Sequence, residues 1–192
     1  MRDGTPPSAA APRADAGGAP DPSVRHVRAW ALYRTSAAEQ PVARALAALK
    51  YHGRTRLARR MAHVMVARVP DPTVSVVTPV PLHPSRLRAR GYNQSALLAR
   101  HLARALGRPF APHVVRRVRD TPSQTTASAQ ARSANVAGAF VVRHPAAVRG
   151  RRVLLVDDVW TSGATARAVA AALRAAGARS VDVVTFARVP PP

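Results

Sequence analysis

Between Arg152 and Leu173 the chain reads R-V-L-L-V-D-D-V-W-T-S-G-A-T-A-R-A-V-A-A-A-L, a stretch that few folds can accommodate. Val153-Leu154-Leu155-Val156 is a short unbroken apolar run, the pattern of a strand covered on both faces in a parallel sheet. Asp157 and Asp158 stand where that strand is expected to end. Thr161-Ser162-Gly163-Ala164-Thr165 then turns the chain, and Thr165, Val169, Ala172, Leu173 and Ala176 recur at helical spacing before Gly177. Two carboxylates and a hydroxyl-rich loop are thereby placed between the carboxyl end of a buried strand and the amino end of a helix. Open α/β sheets bind ligands there.

The residue types suggest which ligand. Backbone N–H groups at a helix start are unpaired and carry the positive end of the helix dipole, so they hold a phosphate without any lysine. Thr161, Ser162 and Thr165 can add hydroxyl donors, and Gly163 lets the backbone approach closely. A carboxylate is a poor partner for phosphate, so Asp157 and Asp158 must face sugar hydroxyls or a hard cation such as Mg²⁺. Phosphate on the loop with carboxylates behind it describes a ribose 5-phosphate pocket. The bland alternative is a strand-end Asp pair capping the helix before an ordinary turn.

At 192 residues the chain is long enough for one domain with a sizeable core. No apolar run has the length of a membrane span, and the amino terminus lacks a signal-type apolar block, so a cytoplasmic location is expected. With no Cys, disulfides and thiolate metal sites are excluded. The seven histidines, His26, His52, His63, His83, His101, His113 and His144, form no close-spaced metal pattern, and only His83 lies beside a candidate ligand loop. Net charge is +21, and Lys50 is the one basic residue that is not Arg. Codon bias accounts for arginine over lysine but does not remove carboxylates. Such a field attracts polyanions, although the few aromatic residues give little for bases to stack on.

Three segments are expected: a tail over 1–23, an amino-terminal helical or hood segment over 24–70, and a core over 71–192. The tail is Pro, Ala, Gly and Asp with almost no large apolar side chain, the composition of disorder. Trp30–Tyr33 suits a short strand. Ser36 with Glu39 resembles a capping box for a helix carrying Val42, Ala45, Leu46 and Leu49, with Pro41 in its first turn. Leu57, Met61, Val64 and Met65 define a second helix with arginines on its wet face. Val74–Val80 is the next strand, followed by a loop with Arg86, Arg88 and Arg90 and a helix with Leu98, Leu102, Ala105 and Leu106 on one face. In a parallel sheet that loop shares an edge with 157–165, and guanidinium groups there suit pyrophosphate oxygens. Val114-Val115 and Phe140-Val141-Val142 flank a polar excursion, and Val181–Arg188 is a last strand with alternating faces.

The apolar strand, the acidic pair and T-S-G-A-T resemble the phosphoribosyl-pyrophosphate (PRPP) signature of type I phosphoribosyltransferases. K-Y-H-G-R at 50–54, P-V-P-L-H-P-S-R-L-R-A-R-G-Y-N-Q-S at 79–95 and Q-x7-R-x2-N-x4-F at 124–140 add a resemblance to the ComF family, associated with competence for DNA uptake. It covers about 45–190, and without Cys the four-cysteine zinc module of many ComF proteins is absent. The resemblance implies an α/β fold of the type I phosphoribosyltransferase kind, a mostly parallel twisted sheet flanked by helices with a flexible lid loop. It implies that Asp157 and Asp158 hold ribose hydroxyls, and that Thr161, Ser162, Gly163, Ala164 and Thr165 wrap the 5′-phosphate. Arg86, Arg88 and Arg90 would meet pyrophosphate, and a lid over 120–138 would contribute Arg132 and Asn135, with Gln124 and Gln130 as weaker candidates. The implied reaction moves a 5-phosphoribosyl group from Mg-PRPP to an unidentified acceptor, with Mg²⁺ held mainly by the substrate. A rival reading is a PRPP- or nucleotide-sensing adaptor that catalyses nothing. Single-stranded DNA, DNA-uptake proteins and a second copy of the chain are the further candidate partners.

Overall fold

The computed structural model describes residues 14–15, 22–33, 41–119 and 138–190. Ser36, Glu39, Gln124, Gln130, Arg132 and Asn135 lie outside the described residues, and with them the expected capping box and nearly all of the expected lid. In chain order the elements are β1 (Ala14–Asp15), β2 (His26–Leu32), α1 (Pro41–Tyr51), α2 (Leu57–Val66), β3 (Val76–Pro79), α3 (Pro84–Arg90) and α4 (Gln94–Ala105). There follow β4 (Val115–Arg117), β5 (Phe140–Val142), β6 (Arg152–Trp160), α5 (Ala164–Ala175) and β7 (Ser180–Arg188). The main sheet runs β1-β2-β7-β6-β3, parallel throughout except for β1 against β2. β4 and β5 form a separate antiparallel pair. The expected mostly parallel α/β fold is the observed one.

Each face of β6 feeds a different core. Val153 and Leu155 pack with Val181 and Val183 of β7, with Val169, Ala170 and Leu173 of α5, and with Val115 and Phe140 of the small sheet. Leu154 and Val156 pack with Val184 and Phe186, under Leu46 and Leu49 of α1, Met61 and Met65 of α2, and Leu98 and Leu102 of α4. All eight residues from Val181 to Arg188 are buried. The expected alternation of faces along β7 is therefore not an alternation of exposure, because neighbouring strands and helices cover both sides.

Three local expectations change. The Trp30–Tyr33 strand starts earlier, at His26, because β2 pairs in register with β7 from His26↔Asp182 to Leu32↔Arg188. Arg86, Arg88 and Arg90 sit on the helix α3 and not in a loop: His83 caps it by accepting from Ser85 N–H, Pro84 opens it, and Gly91 closes it at φ +80°. On α4 the buried stripe is Leu98, Ala99, Leu102 and Ala103, and Ala105 is exposed at the end of the helix.

The amino-terminal edge of the sheet is closed by charge. Asp182 is fully buried and accepts from Arg25 Nε at 3.1 Å and lies 2.9 Å from His26 Nδ1. Arg25 also reaches Asp71, whose other oxygen accepts from the hydroxyl and amide of Thr73. The Thr73 hydroxyl, then Arg25, then the Thr73 amide hold the Asp71 carboxyl well below the usual carboxylate range. A lowered pKa stabilises the fold in full above the unfolded-state value of about 4, and that contribution is lost progressively as pH falls below it and on through the lower folded-state value. Asp71→Asn is therefore expected to lower the melting temperature by about 2–4 °C at pH 7, with the gap to wild type beginning to narrow once pH falls below about 4. Parallel melting curves over that range would contradict the assignment.

Candidate functional site

β3 and β6 part company where the site begins. They pair from Val76↔Val153 to Pro79↔Val156, and Val80 N–H donates to Val156 O at 2.9 Å. The chain then leaves the sheet for α3, while β6 stays paired with β7 as far as Trp160↔Arg188. Asp157 and Asp158 thus lie inside β6, not at its end as the sequence suggests. Because the strands are parallel, the segments after β3 and after β6 emerge at one edge, and a direct contact joins them. Ser95 Oγ, in the first turn of α4, donates to Asp157 Oδ1 at 2.8 Å. Asn93 sets Ser95 in place: its Oδ1 accepts from Ser95 N–H (2.9 Å) and Ala96 N–H (3.3 Å), and its Nδ2 donates to Val80 O (3.0 Å).

The two aspartates have different surroundings. Asp157 is half-buried; Oδ1 also accepts from Asp158 N–H at 2.9 Å, and Oδ2 has no protein partner among the described residues. Burial first, then the charge of Asp158, pushes the Asp157 carboxyl up, against the Ser95 and Asp158 hydrogen bonds and the Lys50 ammonium. Asp158 is only 4% exposed and points to the α1 side. Its Oδ1 accepts from Val159 N–H at 2.9 Å, and Lys50 Nζ lies 2.8 Å from Oδ2, an ion pair set off the hydrogen-bond axis. For Lys50, burial pushes the ammonium pKa down, but Asp158 and Asp157 together raise it by more, so the cation stays charged.

The loop that follows is built as a cradle. Gly163 has φ +75°, and a Cβ there would fall 2.2 Å from the Trp160 ring, so only glycine fits. Trp160 is stacked in turn by the Arg167 guanidinium at 5.4 Å, which also donates to Ser162 O. Neither aspartate caps α5; Ser162 Oγ accepts from Ala164 N–H at 3.4 Å. Among the described residues, the amides of Ser162, Gly163 and Thr165 donate to no protein group. Thr161 is exposed, Ser162 and Thr165 half-buried, and Ala164 buried.

Of the arginines expected to meet pyrophosphate, Arg90 donates to Gln94 Oε1 and lies 5.5 Å over the Tyr51 ring. Arg88 is exposed and Arg86 half-buried on the same short helix. Sequence reasoning missed Ser95 and Lys50 as site residues. Ser95 carried no signal beyond its place in a family-like block; Lys50 carried one, as the single lysine.

A family described as the phosphoribosyl transferase domain matches residues 93–191, from the Asn93 cap through the acidic pair, the loop and β7. The chain belongs to the phosphoribosyl transferase domain family. Among curated relatives of this phosphoribosyl transferase domain protein, "DNA utilization protein YhgH" of Salmonella typhi is 35% identical over 151 residues, 73% of this chain and 64% of that protein. "Competence protein F" of Haemophilus influenzae is 39% identical over 113 residues, 58% of this chain and 49% of that protein. These relatives bear out the resemblance to the ComF family, and the chain spans less than two thirds of their length. Solved structures with a similar arrangement include glutamine PRPP amidotransferase from B. subtilis, complexed with ADP and GMP. It is 27% identical at a TM-score of 0.45, over 67% of this chain and 26% of that one. Adenine phosphoribosyltransferase from Thermoanaerobacter pseudethanolicus is 16% identical at a TM-score of 0.45, over 71% and 83%.

The buried pairing makes Asp158 costly to change. Asp158→Asn leaves the Lys50 ammonium without its counter-charge, and a loss of roughly 3 kcal/mol in chemical denaturation is expected. Asp157→Asn, half-buried and bonded to a neutral hydroxyl, is expected to cost less than half of that. Equal losses would contradict the division of roles between the two carboxylates.

Proposed function

We propose that this edge binds PRPP and that the protein transfers its 5-phosphoribosyl group to an acceptor with release of pyrophosphate. The observation that carries the reading is the Ser95–Asp157 hydrogen bond, which places the segment after β3 against the acidic strand and its open-amide loop. The 5′-phosphate would take the free amides of Ser162, Gly163 and Thr165 with the hydroxyls of Thr161, Ser162 and Thr165. Ring hydroxyls would donate to the open oxygen of Asp157, with Asp158 behind it. Arg86, Arg88 and Arg90 lie on the segment that would face the leaving pyrophosphate, and Arg132 and Asn135 would act from the lid. Among the described residues no group of three or more His, Cys, Asp or Glu is placed to cage a metal. Mg²⁺ would then enter as part of the substrate, bound mainly by diphosphate oxygens, its habit with such ligands.

Substitution at the anomeric carbon breaks its bond to the pyrophosphate oxygen and forms one to the acceptor, with oxocarbenium character between. The protein's share is to hold the sugar rigidly and offset charge on the departing oxygens. No described side chain is placed as an obligatory general base. A cytoplasmic enzyme of nucleoside metabolism follows from this reading; among the described residues no helix is long and apolar enough to cross a membrane.

One observation favours a second reading. Arg59 and Arg60 of α2 and Arg100 and Arg104 of α4 are exposed, and neither helix carries an acidic residue. His101 is pushed down by burial and then by Arg100, Arg59 and Arg104, which places both helices' charges in one basic patch. With relatives named for DNA utilization and competence, an adaptor that binds PRPP and a nucleic acid without turnover fits this patch. Calorimetric titration of PRPP with and without Mg²⁺, then pyrophosphate detection across a nucleobase panel, separates the readings. Transfer gives Mg²⁺-dependent binding and pyrophosphate with at least one acceptor; the adaptor gives binding alone. No PRPP binding under either condition would overturn both.

A further inference from the structure

Lys50 is the one lysine in a chain with 30 Lys and Arg residues. Among the described residues the other ion pairs that do not use histidine use arginine, at Arg25 with Asp71 and Asp182, and arginine is the usual choice for buried pairs. The exception falls where a cation meets the acidic pair. Lys50 also comes from α1, outside residues 93–191 that match the family. The end of α1 is fixed around it: Tyr92 Oη donates to Leu49 O, and Tyr51 lies under the Arg90 guanidinium. Its side chain is 23% exposed, and its ammonium lies 2.8 Å from the buried Asp158 Oδ2.

The shape of the cation matters here. An ammonium is compact, and its three donors turn about one nitrogen; a guanidinium is a broad planar fork that takes a carboxylate side-on. In the place of Lys50, the broader guanidinium would take Asp158 side-on and would not reproduce the single contact of Nζ with Asp158 Oδ2. We propose that Lys50 is a positioning residue of the ligand site: its ammonium fixes Asp158 and offsets the charge of the pair, leaving Asp157 Oδ2 open to the vicinal diol of a phosphorylated sugar. This rests on the sugar-phosphate reading of the site. The ionisable groups that act on one another there are Asp157 and Asp158 of β6 and Lys50 and Tyr51 of α1, with the neutral Ser95 hydroxyl from α4. The charge balance agrees, since the two carboxylates keep Lys50 protonated against its burial.

Calorimetry on the full chain with ribose 5-phosphate and with 2-deoxyribose 5-phosphate tests this, for wild type, Lys50→Arg and Lys50→Met, with a thermal melt of each. Wild type is expected to prefer ribose 5-phosphate, and both variants to lose about tenfold of that preference. Their affinity for 2-deoxyribose 5-phosphate is expected to stay within about threefold, since the phosphate loop is untouched. If Lys50→Arg keeps the wild-type preference, or both sugars weaken equally in the two variants, Lys50 is a structural ion pair and the inference is overturned. If wild type binds ribose 5-phosphate without preferring it, the diol assignment is overturned while the phosphate loop stands. If wild type binds neither sugar, the pocket reading itself falls and takes this inference with it.

Discussion

Asp157 and Asp158 are adjacent carboxylates in a strand buried on both faces, and everything at the carboxyl edge of the sheet answers that constraint. Ionised carboxylates leave water only when donors replace it. Asp157 is met by the Ser95 hydroxyl and a backbone amide, Asp158 by another amide and the Lys50 ammonium. Those partners come from α4 and α1, so the acidic strand fixes two helices on one face of the sheet. The single uncompensated oxygen belongs to Asp157, the carboxylate nearer solvent. A stability requirement and an open acceptor thus arise from the same pair.

Topology supplies the other half. In a parallel sheet successive strands leave at the same edge, so the segment after β3 and the loop after β6 converge without any special device. The early end of β3 at Pro79 opens room beside Asp157, and Asn93 spans the gap by bonding Val80 O while capping α4. The amides of Ser162, Gly163 and Thr165 stay open where Gly163 takes a left-handed turn beneath Trp160, and Arg167 clamps that ring and the Ser162 carbonyl. Open amides and a carboxylate with an unpartnered oxygen end up a few residues apart on one chain segment.

Much of this was legible in the sequence because the signals were local. The unbroken Val153–Val156 run announced a doubly covered strand, and T-S-G-A-T followed by helical spacing announced the loop and α5. Pro41 at the first position of α1 and Gly107 after α4 also stand where their backbone limits put them. What escaped depended on partners distant in sequence. β2 is longer than its apolar residues suggest because its register is set by β7. The arginine segment after β3 is helical because His83, Pro84 and Gly91 supply start and stop signals across a stretch with no apolar periodicity. The extent of β6 past its aspartates depends on β7, and the Lys50–Asp158 pair joins residues over a hundred positions apart. Composition alone hinted at it, through a lone lysine.

A sugar phosphate is expected to sit with its phosphate on the Ser162, Gly163 and Thr165 amides and its hydroxyls on Asp157. A crystal structure of the full chain with ribose 5-phosphate tests this most directly. Phosphate oxygens are expected within hydrogen-bond distance of those amides and a ring hydroxyl on Asp157 Oδ2, with Lys50 still on Asp158. A sugar phosphate bound elsewhere, with the loop amides turned onto protein groups, would contradict it.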